Sequence, residues 1–389
     1  MKITFLWREN YVGYLWASSV TAKSYFVHSG ILAYQNEVLS AYATELEIKK
    51  VKKMTEAISN NPAVISNYKK NFKQIKDKTL KFEKKINTIN LSKITSRRLY
   101  ALFENLILIL NEYIKAYSWT EAHFLSGIEN ELYSAIAKKK FIKKSTAEII
   151  AQLLAHKSKK LYQQYKITDQ EHLLLNTVNS AARMRFQAKK TMTNLANISE
   201  TLMREVARRS YLAVSQVSQL ELNQLKKLLC QEVKPNLEII NHRQKNFAFM
   251  ISNKYSIRTL TNRQANAIKQ YEQKQTKTKK IHGFVVYPGK VTGRARIVPP
   301  LFSQEDYRTY IKSLQPKDII IAPMTSPYLT PAFSKVAAVI TDEGGLMSHA
   351  ALIAREKRIP CIIGTLIATK TFNEGDRITV DANTGTINK

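Results

Sequence analysis

The placement of glycine and proline limits this chain more than any other feature. Of its 11 glycines and 10 prolines, eight of each follow His282. Glycine inside an element costs backbone entropy, and proline lacks an N–H and collides with the preceding helical turn. A stretch nearly free of both can sustain helices, whereas a stretch dense in both is cut into short elements. Residues 1–270 are therefore expected to be helical, residues 271–281 to form a linker or hinge, and residues 282–389 to form short strands, turns and few helices. The fold class is multidomain α + α/β: an N-terminal all-α region followed by a C-terminal β/β/α domain.

Apolar spacing supports the helical expectation. Leu99, Leu102, Phe103, Leu106, Leu110 and Tyr113 recur at three- and four-residue intervals, the period of one helix face. Ile149, Leu153, Leu154 and Leu161 do so less regularly, and a leucine-rich run extends from Leu212 to Leu229. Pro62 and Pro235 mark breaks. The stretch Tyr271–Lys280 carries no apolar residue after its first position, as an exposed hinge would. The aromatic residues Phe5, Trp7, Tyr11, Tyr14 and Trp16 are expected in a core, with an acceptor pocket as the alternative.

Charge is lopsided. Lys and Arg number 61 against 30 Asp and Glu, a formal net charge of +31, of which +4 falls from His282 onward and +27 before it. Such a field attracts anions. The lysines are scattered along helices with no nucleic-acid-binding module beside them, so nucleic acid is not expected as a partner. Two distant cysteines, Cys230 and Cys361, form no disulfide framework, which fits a reducing cytoplasm. Arg8 and Glu9 interrupt the first apolar run, which is not a signal peptide, and the longest apolar stretches, Leu106 to Leu110 among them, are too short for a bilayer. A cytoplasmic protein without membrane attachment is expected.

Past residue 282 the texture is strand-like. Phe284–Val286 and Ala295–Val298 flank a turn-rich Tyr287–Gly293; Asp318–Ala322, Ala337–Thr341, Cys361–Gly364 and Arg377–Asp381 read as strands, and Asn383–Thr386 as a hairpin. Between two of these lie Gly344, Gly345 and then a helix from about His349 to Lys357, stopped by Pro360. A histidine there has a chemical logic. Glycines allow a bulky group to approach, a helix amino end favours a phosphate, and neutral imidazole is a nucleophile near neutral pH. The alternative is a histidine that only caps or packs.

The segment Gly344-Gly345-Leu346-Met347-Ser348-His349-Ala350-Ala351, continuing through Arg355 to Pro360 and Gly364, resembles the phosphohistidine signature of the PEP-utilising enzyme mobile domain, the swivelling domain of phosphoenolpyruvate synthase, pyruvate phosphate dikinase and rifampin phosphotransferase. Thr325-Ser326-Pro327 looks like that family's T-x-P segment, Val286–Gly293 its opening hairpin and Glu374–Asp381 its closing strand. The resemblance covers residues 282–389 and implies that His349 is the phosphorylated, catalytic residue. It also makes Thr325, Gly344, Gly345, Ser348 and Arg355 candidates for phosphate binding, although on a regular helix Arg355 faces away from His349. Met347 stands where the best-known dikinases carry threonine, and Lys357-Arg358 replaces small turn residues.

In the helical region, Met203 to Leu229, with Ile239 to Arg243 beyond it, is similar to the helical segment that precedes the mobile domain in synthase-like and rifampin-phosphotransferase-like proteins, and would bind an acceptor or dock a partner. No Gly-rich loop that would cradle ATP phosphates occurs, and His28, His123, His156, His172, His242 and His282 show no metal spacing. The resemblance therefore implies a phosphotransferase subunit without its own nucleotide-binding domain. No cofactor or metal is expected on this chain; ATP and Mg²⁺ are expected on a separate ATP-grasp-like partner, and the acceptor is expected to be a small molecule. The alternative is a non-catalytic regulatory or binding protein that keeps the fold.

Overall fold

The computed structural model describes residues 3–10, 30–35, 38–59, 61–120, 122–139, 146–156, 158–243, 246–253, 256–261, 280–299, 304–346 and 348–389. Tyr11, Tyr14, Trp16, His28, residues 271–279 of the expected hinge and Met347 lie outside the described residues. The chain groups into two compact units, one from Met1–Thr4, Asn10–Glu121 and Ser180–Ile268, the other from Phe5–Glu9, Ala122–Asn179 and Lys269–Lys389. Helices of the first 270 residues are thus shared between both.

The N-terminal elements are β1 (Ile3–Asn10), β2 (Gly30–Gln35), β3 (Val38–Thr44), α1 (Glu45–Ser59), α2 (Pro62–Thr88), α3 (Ser96–Tyr117), α4 (Ala122–Ala137), α5 (Thr146–Ala155), α6 (Lys159–Gln164), α7 (Asp169–Ser210), α8 (Val214–Val217), α9 (Leu222–Gln231), α10 (Leu237–Arg243), β4 (Asn246–Asn253) and β5 (Ser256–Thr261). The region is mostly helical, as its composition predicts. It also carries antiparallel strands in the order β3-β2-β4-β5, with Leu32 opposite both Ala41 and Phe249. These strands pair segments far apart in the chain, a partnership that local spacing does not encode.

In the first unit, α2 packs on α3, and α3 buries Leu99, Leu102, Phe103, Leu106, Leu110 and Tyr113, the stripe its spacing predicts. The caps explain the starts. Asn61 accepts from the Ala63 N–H with Pro62 at the first helical position, and Thr95 accepts from the Arg98 N–H. Near the end of α7, Glu205 accepts from Arg208 and Arg209, while Arg209 also donates to the carbonyls of Leu91 and Ile94. The Arg208 hydrogen bond, with those of Arg209 and both charges, outweighs burial and holds the Glu205 carboxyl down at about 2. Among the described residues, no helix is long and apolar enough to cross a membrane.

The C-terminal elements are β6 (Lys280–His282), β7 (Phe284–Tyr287), β8 (Lys290–Ile297), α11 (Gln304–Ser313), β9 (Asp318–Ala322), β10 (Ala338–Thr341), α12 (His349–Lys357), β11 (Cys361–Ile363), α13 (Ala368–Thr371), β12 (Arg377–Asp381) and β13 (Thr386–Asn388), with a 3-10 helix at Pro327–Ser334. The strands form one mixed sheet in the order β6-β13-β12-β8-β9-β10-β11-β7. Its centre, β8 to β11, is parallel. Ile320, Ala322 and Val339 face the cluster with Phe333, Ala350, Ala351 and Ala354; Ile319, Ile321 and Ile340 face the cluster with Phe372, Ile378 and Ile387. The two-residue period puts apolar side chains on both covered faces, so β9 and β10 read as nearly unbroken apolar runs.

Three details depart from the sequence expectation. Lys280 and Ile281, assigned to the hinge, belong to β6, where Ile281 is buried opposite Ile387. Lys290–Gly293, expected as turn, lies within β8. The turn is confined to Pro288 and Gly289, whose φ of +145° only glycine adopts readily, while Gly293 lets the Lys317 carbonyl approach to 2.1 Å from where a Cβ would be. Helix α11 has no counterpart in the sequence expectation. Within β8 and β9, Arg294 and Arg296 both engage the buried Asp318. Burial pushes that carboxyl up, but the Arg294 hydrogen bond, the Gln315 N–H and the two arginine charges hold it below its ordinary value.

Candidate functional site

Strand β10 ends at Thr341, and the chain turns through Asp342, Glu343, Gly344 and Gly345 into α12. Asp342 anchors the turn. It is buried, and its carboxylate accepts from the Thr365 hydroxyl at 3.0 Å, the Thr369 N–H at 3.2 Å and the Thr369 hydroxyl. Burial pushes the Asp342 carboxyl up, against the pull of these donors. Gly344 has φ of +130°, and a Cβ there would stand 3.0 Å from Ser348 Oγ, so glycine is required twice over. The Ser348 N–H donates to the Gly345 carbonyl at 2.9 Å, closing the turn tightly.

Ser348 is the N-cap of α12: its hydroxyl accepts from the Ala351 N–H at 3.2 Å. His349 is the first helical residue and is half-buried. The other end of α12 closes at Arg358, with φ of +55°, before Pro360. The helix therefore spans the expected residues, and its imidazole stands at the amino end, where the helix dipole is positive.

Both imidazole nitrogens meet hydroxyls. Nδ1 lies 2.9 Å from Thr325 Oγ1, and Nε2 lies 3.1 Å from Thr330 Oγ1. The Phe333 ring meets the imidazole edge-on, with centroids 6.3 Å apart and planes at 88°. Thr330 and Phe333 are three apart on the 3-10 helix, which has three residues per turn, so they share one face. A neutral imidazole has one N–H and one lone pair, and a threonine hydroxyl can donate or accept, so this pair complements either tautomer. The two hydroxyls hold the ring in orientation.

Of the residues singled out in the sequence, Thr325 reaches the imidazole, Ser348 caps its helix, and Gly344 shapes its turn. Gly345 lies against a different group: a Cβ there would stand 2.7 Å from the carboxylate carbon of Glu129, on α4 of the same unit. Arg355 turns to the backbone, donating from Nε to the Ala351 carbonyl at 2.8 Å and from Nη2 to the Leu346 carbonyl. Burial pushes its guanidinium down to about 10, partly offset by Cys361 and Glu129. Cys361 itself is buried, which pushes its thiol up to about 12 and leaves it unreactive. Thr330 was not among the sequence candidates. Its one signal was position: an i, i+3 pair with Phe333 behind Pro327. Among the described residues, no group of three or more His, Cys, Asp or Glu could hold a metal.

The family model of the PEP-utilising enzyme mobile domain matches residues 314–385. A probable phosphoenolpyruvate synthase of Archaeoglobus fulgidus is 35% identical over 107 residues, 28% of this chain and 13% of the relative. The phosphoenolpyruvate synthase of Pyrococcus furiosus is 38% identical over 109 residues, 28% of this chain and 12% of the relative. The uncharacterized phosphotransferase YvkC of Bacillus subtilis is 40% identical over 109 residues, with the same coverage of 28% and 12%. The chain therefore spans about an eighth of the length of these relatives. His349, its two threonines and the diglycine turn all fall within the matched stretch, and residues 314–385 are a PEP-utilising enzyme mobile domain, a member of the phosphotransfer domain family.

Proposed function

We propose that this chain is a phosphotransferase component that carries a phosphoryl group on His349 from an ATP-binding partner to an acceptor. The observation that carries it is the imidazole itself. It stands at the amino end of α12 behind a diglycine turn, with a hydroxyl within 3.1 Å of each nitrogen. In the transfer, the lone-pair nitrogen forms a P–N bond as the donor's P–O bond breaks, and the leaving oxygen keeps that electron pair. The imidazole N–H proton is then free to pass to solvent through the threonine on that side. The first-turn amides and the positive end of the helix favour the dianion that results. Onward transfer reverses these steps at the acceptor.

ATP and Mg²⁺ belong, in this proposal, to an ATP-grasp-like partner, and the acceptor is a small molecule. The helices of residues 1–270 would supply acceptor or partner contacts, with residues 271–281 as the hinge and residues 282–389 as the moving body. One residue must then visit two sites, each pre-organised and shielded from water, which a swivelling domain achieves. Incubation with radiolabelled ATP and the nucleotide-binding partner is expected to give an acid-labile, base-stable phosphoprotein that His349→Ala abolishes. Full labelling of His349→Ala would count against the proposal, and no labelling of the wild type would favour the alternative, a regulatory or binding protein that retains the fold.

A further inference from the structure

Glu129 stands outside the matched domain yet is seated on its diglycine turn. It lies on α4, is only 6% exposed, and its Oε1 accepts the Leu346 N–H at 3.1 Å. Gly345 makes the room, because any side chain there would run into the carboxylate. Arg355 holds the other side of the same residue through the Leu346 carbonyl, and its charge attracts Glu129. The side chain of Leu346 is itself buried. The helices around Glu129 are anchored too: α5 packs on α4 and against the edge strand β7, and Ile128, Leu132 and Ile136 are buried. A buried carboxylate is tolerated only where donors and opposite charge meet it, so this placement is specific.

We propose that Glu129 is a latch that parks the phosphohistidine domain against α4 and is released when His349 is phosphorylated. The proposal rests on the carrier function assigned to His349. The turn gripped by Glu129 is closed by the Ser348–Gly345 hydrogen bond and leads straight into His349. A phosphoryl group brings about two negative charges to that residue at neutral pH. Across so short a turn, it repels the buried carboxylate, weakens the Leu346 contact and frees the domain to move. Glu129 is a positioning residue: it acts on the turn and touches no reacting atom.

The test uses the whole chain with potassium phosphoramidate as phosphoryl donor. An imidazole nitrogen forms the new P–N bond as phosphorus loses its amide nitrogen, which departs as ammonia with the imidazole N–H proton. Hydrogen exchange at Leu346 and across Ala122–Ala137 is read before and after. The wild type should show protection that falls at least tenfold on phosphorylation. Glu129→Gln, which can still accept the Leu346 N–H without the charge, should keep its protection when phosphorylated. Glu129→Ala should lack it in both states while α3 stays protected. Phosphorylated wild type with undiminished protection overturns the latch and leaves the carrier function intact. Failure of phosphoramidate to modify His349 overturns both.

Discussion

Each imidazole nitrogen of His349 has its own threonine, and the two contacts oppose each other: whichever nitrogen holds the proton, the other hydroxyl must donate. Removing one hydroxyl leaves its nitrogen without that partner. Thr325→Val and Thr330→Val are each expected to cost about 1 kcal/mol of stability, the net worth of one such bond, and to shift the ¹⁵N resonance of the nitrogen that loses its hydroxyl. Unfolding in urea and imidazole ¹⁵N shifts would check this; unchanged stability and unchanged shifts in both variants would refute it. Thr325 and His349 were legible in the sequence because they sit in recognisable motifs. Thr330 was not. It lies between Pro327 and Pro331, where the text reads as loop, and only the 3-10 winding turns it toward the ring. Glu129 was equally hidden, because its role comes from a contact 217 positions away in the chain.

Helix α12 was readable end to end because its signals are local: two glycines before it, a serine cap, and a proline shortly after. The cap is a stability element as well as a site element. Ser348→Ala should cost about 1 kcal/mol, the usual value of such a cap, measured by urea unfolding. Gly345→Ala should cost about 1–3 kcal/mol, since its methyl group meets the Glu129 carboxylate. Pairing it with Glu129→Ala should recover part of that loss, and strictly additive losses would contradict the contact. Strands β9 and β10 were legible as unbroken apolar runs because both faces of the sheet are covered. Strands β2 to β5 were not, because their pairing joins residues 30–44 to 246–261, and helix-like composition around them masks a long-range partnership. Strand β6 has a single apolar residue, Ile281, so its pairing with β13 left almost no trace in a polar run.

Over the whole molecule, the scarcity of glycine and proline before His282 and their abundance after it separate a mostly helical region from the sheet of the C-terminal domain. The compact units cut across that division, since α4 to α6 group with the C-terminal sheet. Stability should depend on acid through Glu205. Its folded pKa, about 2, lies below the ordinary value of 4.5, so its contribution is fully present above about pH 4.5 and is lost as pH falls toward 2. Glu205→Gln should be less stable than wild type at pH 6 and should lose less on acidification, read from thermal midpoints across that range; parallel curves would contradict it. The central claim, that His349 carries a phosphoryl group, is tested most directly by ³¹P NMR of the phosphorylated chain in alkaline buffer. A phosphohistidine resonance that vanishes on mild acidification and never forms in His349→Ala is expected. The same resonance in His349→Ala, or none in the wild type under conditions that load its partner, would contradict it.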